Sequence, residues 1–337
     1  MKILGIETSC DETCAAVVAD GRRVLSNVVA TQVEIHRKYG GVVPEIASRA
    51  HLEALVPVVA EALRTAEVGV DGIDAVAVVH RPGLIGSLLL GVTAAKTLAW
   101  LHGRPLVAID HLESHIYAPC LERDALPFPC VSLIVSGGHT SLYYSEGPAA
   151  HTLLGATTDD AAGEAFDKVA SLLDLPYPGG PSIDQVAERG APDAVRFTRP
   201  YLAADSLDFS FSGLKTAVLY EVRGHGADAK NRPTRLSPQR TADVAASFQE
   251  CVVDVLVAKT LRAAEVRGAD RILVGGGVAA NRCLRRRLQE EAEALGLEVF
   301  LPPMAYCTDN AAMVAGLAYH YAVAGRFADL DLETRAC

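Results

Sequence analysis

The chain states one structural plan twice. An apolar segment Lys2–Glu7 runs through the polar turn Thr8-Ser9-Cys10-Asp11-Glu12-Thr13 into a second apolar segment, Cys14–Ala19, with a third near Val24–Ala30. The pattern recurs as Val131–Val135, the turn Ser136-Gly137-Gly138-His139-Thr140, Ser141–Tyr144 and His151–Ala156. Short apolar runs separated by small polar residues read as strands joined by tight turns. The later part of each copy matches as well. Asp74–His80 is an Ala/Val strand that leads through Arg81-Pro82-Gly83 into a helix from about Ile85. Leu106–Ile109 then leads into a helix beginning near Asp110. In the second copy, Arg271–Val274 leads through Gly275-Gly276-Gly277 into a helix over Asn281–Leu295. Glu298–Leu301 leads into a helix beginning near Thr308. Alternating strands and helices predict an α/β chain of two lobes, each a mixed sheet flanked by helices. The expected lobes are 1–125 and 126–337, the second with a helical insertion around 160–250.

Two lobes agree with a length of 337 residues, beyond the roughly 250–300 that one hydrophobic core supports. Ligands of such sheets bind outside the carboxyl ends of the strands. The Gly turns there offer backbone N–H groups to phosphate. The plan resembles the duplicated fold of actin, sugar kinases and heat-shock ATPases. Half the residues are apolar and 21% are charged, a composition that excludes disorder. The net charge of −10 argues against a surface that grips nucleic acid everywhere. The apolar run Leu84–Trp100 is too short to span a bilayer and carries Lys96, so a buried helix is expected, with no membrane association. Eight scattered cysteines, Cys10, Cys14, Cys120, Cys130, Cys251, Cys283, Cys307 and Cys337, form no disulfide framework. They read as reduced thiols of a cytoplasmic protein.

One constellation carries metal chemistry. His111 and His115, in Asp110-His111-Leu112-Glu113-Ser114-His115, are four apart and share a helix face. Asp309 opens the matching helix of the second copy, so pseudo-symmetry predicts it across the cleft from the His pair. Two imidazoles and one carboxylate leave coordination positions open, the pattern of a catalytic site suited to ferrous iron or zinc. A peptidase of the HExxH kind puts its Glu beside the first His. Here Glu113 is rotated about 200° from each His and faces away from any metal they hold.

Longer motifs carry a family resemblance. They are Glu7-Thr8-Ser9-Cys10-Asp11-Glu12-Thr13, Tyr39-Gly40-Gly41-Val42-Val43-Pro44-Glu45, His111-Leu112-Glu113-Ser114-His115, Ser136-Gly137-Gly138-His139-Thr140, Gly163-Glu164-Ala165-Phe166-Asp167-Lys168, Tyr177-Pro178-Gly179-Gly180-Pro181, Asp208-Phe209-Ser210-Phe211-Ser212-Gly213-Leu214-Lys215-Thr216, Gly275-Gly276-Gly277-Val278-Ala279-Ala280-Asn281 and Tyr306-Cys307-Thr308-Asp309-Asn310. In this order, from residue 1 to about 325, they resemble the tRNA adenosine threonylcarbamoyltransferases, a family once described as sialoglycoprotein endopeptidases. One departure stands out: Arg81 occupies the first position of a turn that is usually Gly-Pro-Gly-Leu.

The resemblance implies transfer of a threonylcarbamoyl group from threonylcarbamoyl-AMP to the exocyclic amine of adenosine 3′ of the anticodon, in tRNAs reading codons that begin with A. It implies one metal, iron, on His111, His115 and Asp309. It implies a donor site on Ile134, Val135, Ser136, Gly137 and Gly138, with Asp167 and Gly180 as further substrate contacts; by position, Asp184, one helical turn past Gly180, and Asn281, opening the helix after the Gly-rich turn, join them. Asp11 and Glu12 are candidates for orienting the attacking amine, and His139 for the metal's surroundings. The implied partners are tRNA, a catalytically inactive paralogue of the same fold and a small P-loop ATPase. Arg282, Arg285, Arg286 and Arg287 read either as a solvated helix face or as a local tRNA contact. The isolated chain is expected to have little activity. A sugar or acetate kinase of the same fold, a metallopeptidase and a non-catalytic scaffold are the competing readings.

Overall fold

A computed structural model describes residues 1–203, 205–224 and 236–336; Cys337 lies outside them. The elements run β1 Lys2–Glu7, β2 Glu12–Ala19, β3 Arg23–Thr31, α1 Val33–Arg37, α2 Pro44–Thr65, β4 Ala75–Arg81, α3 Ile85–Leu101, β5 Leu106–Asp110 and α4 His111–Tyr117. They continue with β6 Cys130–Val135, β7 Thr140–Gly147, β8 Ala150–Ala156, α5 Ala162–Leu172, α6 Gly179–Ala187, α7 Ser212–Arg223 and α8 Pro238–Arg267. The last are β9 Arg271–Gly275, α9 Arg282–Ala294, β10 Glu298–Phe300 and α10 Ala311–Val323.

The duplication is explicit in the sheets. The first has strand order β3-β2-β1-β4-β5 and the second β10-β9-β6-β7-β8. Reading the second backwards gives the first, strand for strand. In the first sheet β1–β2 and β2–β3 are antiparallel, while β1–β4 and β4–β5 are parallel. In the second, β6–β9 and β9–β10 are likewise parallel. The alternating-element reading of a mixed α/β sheet is therefore met twice.

The compact units divide differently from the expected 1–125 and 126–337. One unit comprises Met1–Phe128, Ser145–His151 and the chain from Pro302 onward; the other comprises Pro129–Tyr144 and Thr152–Leu301. The segment after Pro302, assigned from sequence to the second lobe, packs on the first sheet through α10. The reason is local. Helix α10 is apolar and small around most of its circumference, with Ala311, Ala312, Met313, Val314, Ala315 and Leu317 fully buried. Strand β1 meets it with Gly5, where an added Cβ would lie 2.5 Å from the Ala311 carbonyl oxygen. Absence of a side chain at Gly5 lets helix and sheet backbones touch. The first sheet is thus buried on both sides, with β1, β2 and β4 almost wholly apolar; α2 and α3 also pack on it.

In the second unit, α8 is the long central helix, capped by Ser237 at its start and by left-handed Gly268 at its end. It packs against α6 and α9. Buried Lys259 of α8 donates to the carbonyls of Tyr201, Ser206 and Asp208, pinning the chain before α7.

Candidate functional site

The metal-ligand candidates meet within the first unit. Asp110 caps α4, its Oδ1 accepting from the amides of Leu112 and Glu113 at 2.9 and 3.4 Å. That cap starts the helix one residue before His111, as its Asp predicts. The His111 and His115 rings then stand edge to face with centroids 4.6 Å apart. Asp309, on the loop before α10, places Oδ1 3.1 Å from His115 Nε2 and 3.6 Å from His111 Nε2. One donor atom from each residue lies within 4.8 Å of the other two. The His–His–Asp set is therefore brought together as expected. Asp309 does not come from an opposing lobe, because α10 covers the first sheet and carries its leading loop with it.

Glu7 is the residue that sequence reasoning passed over. It ends β1 fully buried, and its Oε2 lies 2.9 Å from His111 Nδ1. Its other oxygen accepts from the Ser9 amide. Ser9 Oγ adds a contact to His111 Nδ1 at 3.2 Å. A carboxylate on Nδ1 fixes the tautomer and turns Nε2 towards a metal. The available signal was a charged residue closing an otherwise apolar strand.

The donor set fits a divalent cation. Two buried imidazoles and a carboxylate converge, and a second carboxylate orients one imidazole. Burial by itself lowers the His111 pKa, but Asp309 and Glu7 outweigh it and hold the group up at about 9. The surroundings of His111 thus favour positive charge. His115 is pushed the other way, first by burial, although Asp309 draws it back in part. Its Nδ1 is buried with no hydrogen-bond partner among the described residues, while Nε2 faces the Asp309 carboxylate, which can only accept. Glu12 is driven up to about 10 by burial and by the neighbouring carboxylates of Asp309 and Asp11. Crowded acids of this kind are relieved by a cation.

Asp11 and Glu12 sit in the turn leaving β1 and entering β2, as expected. The Asp11 carbonyl accepts from the Gln32 amide at 3.0 Å, and Glu12 Oε1 accepts from Thr31 Oγ1 at 3.2 Å. Beside them the Cys10 thiol is pushed far above its usual range, first by burial and then by Asp11 and Asp309, which favours the neutral thiol. Glu113 accepts a short hydrogen bond from the Tyr321 hydroxyl of α10. It is engaged away from the His pair, as its rotation on the helix requires, and supplies no peptidase base.

The second unit carries the proposed donor residues. Ile134 and Val135 are fully buried in β6, so they line the strand end beneath the turn and present no exposed surface of their own. The turn that follows is closed by Ser136 and His139: the Ser136 amide donates to the His139 carbonyl at 2.8 Å, and the His139 amide donates to Ser136 Oγ at 3.2 Å. Gly137 and Gly138 project into open space. The turn after β9 comes against this strand: Gly276 has φ +93°, and an added Cβ would lie 2.4 Å from the Val135 carbonyl oxygen.

Three other candidates have structural duties. Asp167 Oδ1 accepts from the Gly179 amide at 2.7 Å, holding the first residue of α6. Asp184 Oδ2 accepts from Arg282 Nε at 2.6 Å. Asn281 caps α9, its Oδ1 taking the Leu284 amide and its Nδ2 donating to Gln249. Gly180 stands beside open space on α6.

Three of the four arginines of the run on α9 pair with carboxylates. Arg282 pairs with Asp184 and Glu188, Arg286 with Glu290, and Arg287 with Glu250, Asp254 and Glu291. Arg285 donates to the Ala279 carbonyl. Arg282 and Arg286 remain more than half exposed, so this face is a solvated ion-pair network.

Comparisons with known proteins agree with this geometry. The family model for tRNA N6-adenosine threonylcarbamoyltransferase matches residues 23–316. A protein of that name from Moorella thermoacetica is 54% identical over 331 residues, covering 98% of this chain and 95% of the relative. Another from Geobacter metallireducens is 56% identical over 315 residues, covering 94% and 90%. Among solved structures, full-length HypF aligns with TM-score 0.64 at 14% identity, covering 97% of this chain and 56% of that one. The Acidaminococcus fermentans (R)-2-hydroxyglutaryl-CoA dehydratase component A aligns with TM-score 0.55 at 16% identity, covering 96% and 99%. At such identity the structures establish the shared fold alone, the duplicated fold expected from sequence. The family match sets aside the kinase, peptidase and scaffold readings. The chain belongs to the tRNA N6-adenosine threonylcarbamoyltransferase family, transferases that modify adenosine in tRNA.

Proposed function

We propose that the chain uses threonylcarbamoyl-AMP as donor and the N6 amine of adenosine 37 as acceptor. The amine nitrogen attacks the carbamoyl carbon, the bond from that carbon to the phosphate oxygen breaks, and AMP leaves. The nitrogen gives up one proton, so neither a covalent enzyme intermediate nor a redox partner is required. The observation that carries this reading is the convergence of His111 Nε2, His115 Nε2 and Asp309 Oδ1, backed by Glu7.

In this reading those three residues hold one divalent ion, ferrous iron or zinc. Bound there, such an ion supplies Lewis acidity and a positive charge for developing negative charge on the acyl and phosphate oxygens. Glu7 keeps the His111 proton on Nδ1. Asp11 and Glu12 orient the amine. The turn Ser136-Gly137-Gly138 and the open face at Gly180 receive the adenylate through backbone approach. Ile134 and Val135 form the buried strand end that sets the position of that turn. Asp167, Asp184 and Asn281 support that site by holding α6 and α9, which assigns them less to direct ligand contact than expected from sequence.

The reading includes a cytoplasmic location, since the substrate is tRNA. Among the described residues no helix is long and apolar enough to cross a membrane. The net charge of −10, together with the paired arginines of α9, favours assistance from an inactive paralogue and a P-loop ATPase. The test is transfer from threonylcarbamoyl-AMP to unmodified tRNA, with and without those partners, comparing the parent with His111→Ala. The parent should modify tRNA and the variant should not. Equal activity removes the metal assignment, and robust transfer by the chain alone removes the partner requirement.

A further inference from the structure

Arg81 ends β4 at the carboxyl end of a parallel strand. In the register of β4 and β5 it is the partner of Asp110, the cap of α4. Its Nε lies 3.1 Å from Asp110 Oδ2, an ion pair without hydrogen-bond alignment. That Nε is buried, yet the side chain as a whole is 41% exposed. Its terminal nitrogens make no hydrogen bond or ion pair among the described residues. The guanidinium is therefore tethered at its base and open at its tip. The tether is the residue directly before His111.

A second cation approaches from another part of the chain. The Arg335 amide donates to the His80 carbonyl at 3.0 Å, and the Gly83 amide donates to the Ala336 carbonyl at 3.2 Å. The tail thus lies along the Arg81-Pro82-Gly83 turn, with Arg335 exposed beside it. Both arginines reach His80 electrostatically: its pKa is lowered first by burial, then by Arg81, with Arg335 adding to the effect and Asp110 opposing it. Glu333 approaches the same histidine through its carbonyl, 3.2 Å from Nδ1.

An arginine fork is matched to phosphate, and one already fixed loses little entropy on binding it. On a chain of net charge −10, Arg81 is a guanidinium open at its tip and held at Nε beside the cap of the helix that carries the histidine pair. We propose that Arg81, assisted by Arg335, binds a substrate phosphate at the edge of the metal centre. Two phosphates belong to the reaction, the tRNA backbone and the adenylate of the donor. The proposal rests on that reading of the reaction, but direct binding tests it separately from turnover.

The experiment uses the complete catalytic assembly carrying Arg81→Gln, Arg81→Lys or Arg335→Gln. Unmodified tRNA is titrated at several salt concentrations, AMP is titrated separately, and bound metal is measured in each variant. A tRNA contact predicts about 3- to 10-fold weaker binding for Arg81→Gln and a salt slope reduced by about 1, with AMP binding unchanged. An adenylate contact predicts the loss in AMP binding with the tRNA slope unchanged. In either case Arg81→Lys retains part of the affinity and Arg335→Gln shows a smaller loss of the same kind. Unaltered binding of both ligands by Arg81→Gln overturns the proposal. So does a loss of metal matching the loss of binding, which would make Arg81 only a prop for α4. Failure of the parent to transfer the group would count against the reaction and leave this binding result standing.

Discussion

The two sheets share one strand order, yet their connections carry opposite equipment. In the first unit, the end of β1 and the start of α4 bring Glu7, His111 and His115 together, and the loop before α10 adds Asp309. In the second, the corresponding turn after β6 carries Ser136-Gly137-Gly138, and the turn after β9 carries Gly276 against Val135. One unit gathers side-chain ligands, the third of them from the second copy's final loop, while the other places glycines at its turns. Duplication supplied equivalent places, and divergence equipped them differently.

That division can be broken by substitution. The largest effect is expected from Asp309→Asn or His111→Ala. Each should abolish stoichiometric metal and lower transfer roughly 100-fold or more, while AMP still binds the second unit. Metal analysis beside AMP titration checks this, and loss of both together would mean that the units are not separately equipped. Next comes Glu7→Gln, which keeps shape but removes the charge behind His111. About 10- to 100-fold weaker metal binding is expected, read by chelator competition. Unchanged metal affinity would reduce Glu7 to packing.

Glycine substitutions sharpen the same contrast. Gly5→Val should drive α10 off the first sheet, cost about 1–3 kcal/mol and weaken metal binding without altering any ligand. Gly276→Ala should cost about 1–3 kcal/mol through its positive φ and the contact with Val135. It should weaken AMP binding while metal content stays whole. Thermal unfolding with the two ligand assays separates the cases.

The smallest effect is a pH dependence confined to the first unit. His51 of α2 is buried, with Nδ1 2.8 Å from Thr13 Oγ1 and Nε2 3.0 Å from the Cys10 carbonyl. Burial lowers its pKa below the ordinary 6.5. A depressed histidine pKa means that the folded state binds fewer protons, so its stabilisation is full above pH 6.5 and falls as pH drops below it. His51→Gln should flatten the loss of stability as pH falls below about 6.5. A slope identical to the parent's would assign the acid sensitivity elsewhere.

Much of this was legible in the sequence because it was local. The repeated strand–turn–strand spacing gave the sheets, and the i,i+4 pair gave two ligands on one face of α4. Asp110 announced the cap of that helix. What was not legible was non-local. Helix α10 is apolar around most of its circumference, and so broad an apolar face does not declare which sheet it covers; Gly5, some three hundred residues earlier, meets it at the first sheet. Asp184 and Asn281 had the right chemistry for a nucleotide, but Arg282 and Gln249 already engage them. The sequence could not reveal those partners, since each pair forms only when α6, α8 and α9 assemble.

The late position of Asp309 bears on the order of events during synthesis. Domains fold from the N-terminus as the chain emerges. His111 and His115 are made early, and the whole of 152–301 is translated before the third ligand appears. A nascent or prematurely terminated chain can hold the histidine pair, but not the full triad. The three-residue set can therefore form only after residue 309 has been made, and a shorter product carries at most the histidine pair.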